Sequence, residues 1–295
     1  MSETQTDLPG VGPVTQADMN YAVVVPGKGV GRYIRRDDEG DLVDVHDSRT
    51  VAVRNARELS PAPTLDSWTW ELLNRPTSVK DFCDDDEIRR VYYKEVEETV
   101  LEVTGAERVI VFDHTRRDTS TGSGLNTKVG ETATAAARVH TDYSDRSGPD
   151  RVRTLGSVGG YTGVKLSEQE VEASMSSGFC IVNLWRNIRS EPVEAWPLAV
   201  LDPKTLGRDE FVEYKMRYPD REGENYGLRF HPAHQWYFYP RMEKDECLLI
   251  KTWESRKDRH RYCFHTAFDN KAATGLSRSS VEVRCVVIMP PTNRL

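Results

Sequence analysis

Apolar residues in the second half of this chain gather into short runs separated by turn-forming residues. Such runs cover residues 178–186, 197–200, 212–218, 234–239, 247–253, 262–268 and 279–289, and a shorter one ends at residue 143. Each has the length and the β-branched and aromatic content of a strand. Between them only the charged stretch leading to Glu172 reads as a helix. The first half predicts a strand at 21–25, a turn at 27–31, a strand–turn–strand at 43–53 with Asp47 and Ser48 at its turn, and a strand at 108–112. Val91, Tyr92, Val96, Val100 and Leu101 recur at helical spacing behind Asp84, Asp85 and Asp86, so a helix is expected over 81–100, ended by Gly105. The pattern as a whole predicts a mainly β sandwich or barrel with flanking helices. Residues 1–20 are expected to form a flexible arm, and 21–295 a single domain whose core spans about 108–290. Residues 118–135 and 144–163, rich in Gly, Ser and Thr, are expected to be loops that close over a site between them.

Composition narrows the function. With 295 residues, 38% of them hydrophobic, the chain can bury a substantial core. No apolar run approaches the ~20 residues that span a bilayer, and the polar start Met1–Gly10 matches neither a signal nor a transit peptide. A membrane partner is therefore not expected. A net charge of −7 without a basic stripe argues against nucleic acid. The five cysteines are odd in number and form no CxxC pair, which fits a reducing, cytoplasmic compartment. Gly27–Gly31 is followed by neither a GK[ST] nor a GxGxxG pattern, so it reads as a turn and not as a phosphate loop.

The candidate chemistry centres on Val139-His140-Thr141-Asp142-Tyr143. In a strand, positions i and i+2 share a face, so His140 and Asp142 would offer an imidazole nitrogen and a carboxylate oxygen to one point. That is two-thirds of the facial triad that suits non-haem Fe(II). Downstream, His265 lies in the middle of an apolar run. Farther on, Arg278, Ser280, Glu282 and Arg284 fall on one face of the last run. Burying such a face costs several kcal/mol unless its charges are paired. It is therefore either an exposed edge or a site for an anion, since a guanidinium matches a carboxylate with two hydrogen bonds. His114, His231, His234 and His260 lack ligand spacing.

His-x-Asp, a distant strand histidine and a following Arg-x-Ser together resemble the Fe(II)/2-oxoglutarate dioxygenase superfamily. The segments Val111-Phe112-Asp113-His114-Thr115-Arg116-Arg117, Asn183-Leu184-Trp185-Arg186, Pro197-Leu198-Ala199-Val200, His234-Gln235-Trp236-Tyr237 and Ser280-Val281-Glu282-Val283-Arg284 resemble one branch of it. That branch holds the cephem 7α-methoxylase component and the fungal gibberellin desaturase-like hydroxylase/desaturases. The resemblance implies a double-stranded β-helix, the cupin-like jelly roll, with Fe(II), 2-oxoglutarate and O2 as cofactor and cosubstrates. It implies hydroxylation, desaturation or cyclisation of a small natural product, with release of succinate and CO2. His140, Asp142 and His265 would be the metal ligands and catalytic centre. Arg278 and Ser280, with Arg284 and Asn183, would hold the cosubstrate, and Arg278 and Arg284 compete as its main anchor. Tyr143, Trp185, Arg186, Arg116 and Trp236 would face the substrate. Two other classes stay open: a different metal-dependent enzyme on a cupin-like barrel, and a non-catalytic accessory protein with a relict site.

Overall fold

Strands dominate the computed structural model, which describes residues 15–34, 40–120, 132–160, 163–219 and 221–291. The first half supplies β1 (Thr15–Ala22), β2 (Gly29–Tyr33), β3 (Leu42–Val43), β4 (His46–Asn55), β5 (Trp70–Asn74), β6 (Arg108–Asp118), β7 (Thr132–Ala133) and β8 (His140–Thr141). The second half supplies β9 (Phe179–Asn187), β10 (Leu198–Leu201), β11 (Phe211–Arg217), β12 (Glu222–Leu228), β13 (Trp236–Phe238), β14 (Glu246–Glu254), β15 (His265–Ala267) and β16 (Ser279–Ile288). They form a ten-stranded sheet, β1-β4-β13-β10-β15-β8-β12-β11-β2-β3, and a six-stranded sheet, β5-β14-β9-β16-β6-β7. The larger sheet curls, because Asn20 on its outermost strand bridges back to Arg138 beside β8. This is a jelly roll with helices on its flank.

Alternation along the smaller sheet decides what each face does. Val109, Val111, Val182, Leu184, Val281, Val283, Cys285 and Val287 point outward and pack on Tyr92, Val96 and Val100 of the flanking helix. Each fully buried aliphatic side chain there contributes about 1.5–3 kcal/mol. That helical stretch starts where the Asp84 side chain accepts from the Asp86 and Glu87 amides, and it ends at Gly105 in the left-handed region (φ 60). The inward face is apolar at one end, with Ile110, Phe112, Ile181, Val286 and Ile288. At the other end it carries Asn183, Ser280, Glu282 and Arg284, and strand register sets Asn183 opposite Arg284. The polar half of this face looks across at β8 and β15.

Several sequence-based expectations change. Asp47 and Ser48 lie inside β4 and form no turn, because β1 pairs across them residue by residue (Tyr21 with Asp47, Asn20 with Ser48). The same pairing places residues 15–20 in a strand and not in an arm; residues 1–14 lie outside the described residues. Segment 144–163, of which residues 161–162 lie outside the described residues, is not a loop over most of its length. It contains the helix Ser147–Ser157, whose Val152 and Leu155 are fully buried. Gly148 belongs there for packing: a Cβ on it would come within 2.6 Å of the Trp253 ring. Of the expected loop 118–135, the ends belong to β6 and β7, and residues 121–131 lie outside the described residues.

Candidate metal centre and cosubstrate pocket

His265 on β15 is registered directly opposite His140 on β8. Their ring centroids are 4.5 Å apart. β8 ends at Thr141, so Asp142 enters from the following bend and not by strand alternation. Its Oδ1 lies 3.7 Å from His140 Nε2 and 3.9 Å from His265 Nε2. One ligand atom from each of the three side chains falls within 4.8 Å of the others. These separations are too long for hydrogen bonds, yet they suit atoms that share a metal.

Hydrogen bonds behind the ligands fix their chemistry. His140 Nδ1 donates to the Arg138 carbonyl at 2.6 Å, and His265 Nδ1 donates to the Cys263 carbonyl at 3.0 Å. Each Nε2 is thereby left as the free lone pair, the tautomer a metal needs. Burial, then the neighbouring His265 and Arg138, hold the His140 pKa well below the ordinary imidazole range. Burial opposes the charge on Asp142, but Arg284, His265 and His140 outweigh it and keep the carboxyl well below its usual range. Asp142 Oδ2 accepts from Asn183 Nδ2 at 2.7 Å and from Arg284 Nε at 3.4 Å, which leaves Oδ1 facing the histidines. Two neutral imidazoles and one fixed carboxylate oxygen fit a facial Fe(II) site.

The two candidate anchors differ sharply. Arg284 is committed to carboxylates: Glu282 at 3.2 Å, Asp142 at 3.4 Å and Asp113 at 3.7 Å. Burial works against its charge, but these acids raise its pKa above the ordinary value. Arg278 is only 3% exposed. Its Nη1 donates to the Trp196 carbonyl at 2.8 Å, and its guanidinium sits 5.7 Å from the centre of the Trp185 ring. Among the described residues its Nε has no hydrogen-bond partner, and neither does Ser280 Oγ. Burial, reinforced by Arg117, pushes the Arg278 pKa down to about 9. A buried guanidinium with an idle Nε and a buried hydroxyl without a partner, two residues apart, form a cradle that one carboxylate would complete.

The sequence pattern of the family described as oxidoreductase/YMDC permease-like domain matches residues 21–288. The chain belongs to that family. No described helix is long and apolar enough to cross a membrane. Across 96% of its length the chain is 25% identical to the hydroxylase/desaturase efuI of Hormonema carpetanum, covering 97% of that protein. It is 28% identical to the hydroxylase/desaturase CTB9 of Cercospora beticola, over 93% of this chain and 87% of that one. Its fold matches the solved iron and alpha-ketoglutarate-dependent endoperoxidase NvfI with a TM-score of 0.77, at 21% identity, over 94% of this chain and 98% of that one. The Fe(II)/2-oxoglutarate resemblance seen in the motifs thus extends along nearly the whole chain.

Several residues expected at this oxygenase's site lie elsewhere. Arg186 points to the outer face, where it donates to Tyr92 Oη and to the Lys244 and Arg75 carbonyls at 2.6–2.7 Å, so its role is to fasten the helix and a loop to the sheet. Arg116 shares that outer side, 3.3 Å from Asp85 and donating to the Cys83 carbonyl. Strand alternation explains both: each is one position out of phase with the inward face. Trp236 is fully buried and donates to Tyr21 Oη at 2.8 Å, within the apolar core. Asn183 touches Asp142 and Glu282, both at 2.7 Å, so it orients the carboxylate of the candidate triad. Trp185 is buried in an apolar cluster, with its ring 5.7 Å from the Arg278 guanidinium. Tyr143 is buried in the core next to the site, within electrostatic reach of Asp142 and Arg284. Asp113, which the sequence left open as part of a hydrogen-bonded cap or of a site rim, joins the inward face through an irregularity in register between β6 and β16. Arg138, whose carbonyl supports His140, was not singled out in the sequence, although its spacing of two from His140 was a usable signal.

Proposed function

We propose that His140, Asp142 and His265 hold the iron of this Fe(II)/2-oxoglutarate-dependent oxygenase, and that Arg278 and Ser280 hold the far carboxylate of 2-oxoglutarate. The reaction is hydroxylation, desaturation or cyclisation of a small natural product, with succinate and CO2 as co-products. Iron and 2-oxoglutarate, when bound, supply the oxygen activation that removes hydrogen from an inert C–H bond. The chain supplies placement. The paired carbonyl acceptors behind His140 and His265 keep both Nε2 lone pairs directed at the metal. Asn183 and Arg284 hold Asp142 so that a single oxygen is presented. Arg278 and Ser280 fix the cosubstrate end that does not react. The apolar inner wall around Ile181, Val286 and Phe112 excludes water.

The observation that carries this reading is the convergence of three ligand atoms within 4.8 Å beside a buried, unsatisfied Arg–Ser pair. A cupin-like hydrolase would need the triad but not that pair. We place the protein in the cytoplasm, on the strength of its five free cysteines, and treat residues 21–295 as a single catalytic domain, in keeping with the family match over 21–288. The test is a mass-spectrometric screen of candidate natural products with Fe(II), 2-oxoglutarate and O2, with His265→Ala as control. Product formed together with succinate, and only by the wild type, is expected. Product formed without succinate would overturn the assignment in favour of other metal chemistry.

A further inference from the structure

Arg138 is a second inward arginine with an idle N–H. It precedes His140 by two residues, and its carbonyl accepts from His140 Nδ1. Its guanidinium stands 3.7 Å from the centre of the Tyr214 ring. Nη2 makes one long hydrogen bond, 3.4 Å, to Asn225 Oδ1. Among the described residues Nη1 has no hydrogen-bond partner and Arg138 forms no ion pair. By contrast, Arg284 and Arg186 have their donors engaged by carboxylates, carbonyls and a phenol.

The position is specific. Nη1 sits above Gly227, where an added Cβ would lie 3.5 Å from it. Gly227 is the residue registered opposite His140. Arg278 lies on the β10 side of the larger sheet, where it bonds the Trp196 carbonyl just before that strand. Arg138 bonds Asn225 on the β12 side, and β15 and β8, which carry the two histidines, lie in between. The two idle guanidinium donors therefore flank the metal ligands. Arg32 adds positive charge near Arg138, while Asp44 and Asp142 are the acids within reach. The wall behind Arg138 is apolar: Ala22, Val30, Val212 and Tyr214 cluster together. A cation with a spare donor against an apolar wall suits an amphiphilic acid.

We propose that Arg138, backed by Asn225 and Tyr214, binds a carboxylate on the substrate, across the metal triad from the cosubstrate. The proposal rests on the metal role of His140, Asp142 and His265. Neighbouring strand positions of one face are ~7 Å apart, so an acid fixed at Arg138 would decide which carbon faces the metal.

The test uses the full chain loaded with Mn(II) and saturating 2-oxoglutarate, with O2 excluded. Calorimetry first measures Mn(II) and 2-oxoglutarate binding to the wild type and to Arg138→Gln. Saturation-transfer NMR then compares 4-phenylbutyrate and decanoate with their methyl esters. The acids are expected to bind the wild type better than the esters, and Arg138→Gln to lose about tenfold or more in acid affinity while keeping Mn(II) and 2-oxoglutarate. Arg138→Lys, which keeps the charge but not the two-point fork, should fall in between and serves if the Gln variant folds poorly. Equal binding of acids and esters, equal acid binding by all three proteins, or no probe binding at all would overturn the proposal. So would loss of 2-oxoglutarate from Arg138→Gln, because Arg138 would then belong to the cosubstrate. If the wild type itself fails to bind Mn(II), it is the metal assignment that falls.

Discussion

Replacing Arg278 by Met separates binding from folding in one experiment. In the free protein Arg278 is 3% exposed, has one carbonyl acceptor, and leaves Nε unsatisfied. Its charge is therefore poorly compensated until an anion arrives. Met has a similar length, packs on Trp185 and removes that burden. The variant should melt no lower than the wild type without cosubstrate, and a gain of about 1 kcal/mol would appear as roughly 2 °C. With cosubstrate the order reverses. Losing one partner of a buried ion pair costs about 3–5 kcal/mol, a factor of roughly 10² to 10³ or more in Kd. At 2-oxoglutarate near 100 times the wild-type Kd, the wild type should gain about 2.7 kcal/mol, and the variant almost nothing at the same concentration. Thermal denaturation with Mn(II), with and without 2-oxoglutarate, reads both quantities. An equal ligand shift in both proteins would refute the anchor. A large loss of stability in the ligand-free variant would refute the idea that Arg278 is uncompensated.

Arg284→Met should behave oppositely, losing about 3–5 kcal/mol of stability because Asp142, Glu282 and Asp113 lose their shared cation; an unchanged Tm would contradict that account. His265→Ala should abolish Fe(II) binding by equilibrium dialysis, and retention of stoichiometric iron would remove His265 from the ligand set. Asn183→Ala should weaken metal affinity by about 10- to 100-fold with 2-oxoglutarate affinity following only through the metal; calorimetry with Mn(II) checks it. Arg186→Met should lower Tm through its three lost hydrogen bonds while leaving the Kd for 2-oxoglutarate within about twofold; a selective loss of cosubstrate binding would return Arg186 to the site.

Much of this protein was legible in its sequence because strand and helix periods are local properties. The run 279–289 and the helix ahead of Gly105 follow from side-chain alternation and capping. His140, Asp142, His265, Arg278 and Ser280 were legible as residue types at telling spacings. Only the tertiary structure decided what those residues touch. Asp47 and Ser48 prefer a turn, but pairing with β1 keeps them extended. β12 carries Gly223 and Gly227 and little β propensity, and it exists because β11 and β8 pair with it. Arg284 lies within β16, and Arg278 immediately precedes it. One is saturated by acids and the other left idle, because β6 and β9 deliver Asp113 and Asn183 beside Arg284 while Arg278 meets Trp185 and a lone carbonyl. Arg116 and Arg186 were misplaced for a related reason: the sheet has helices on one side and the candidate triad on the other, and a one-residue phase, which depends on register with neighbouring strands, sends a side chain to one or the other.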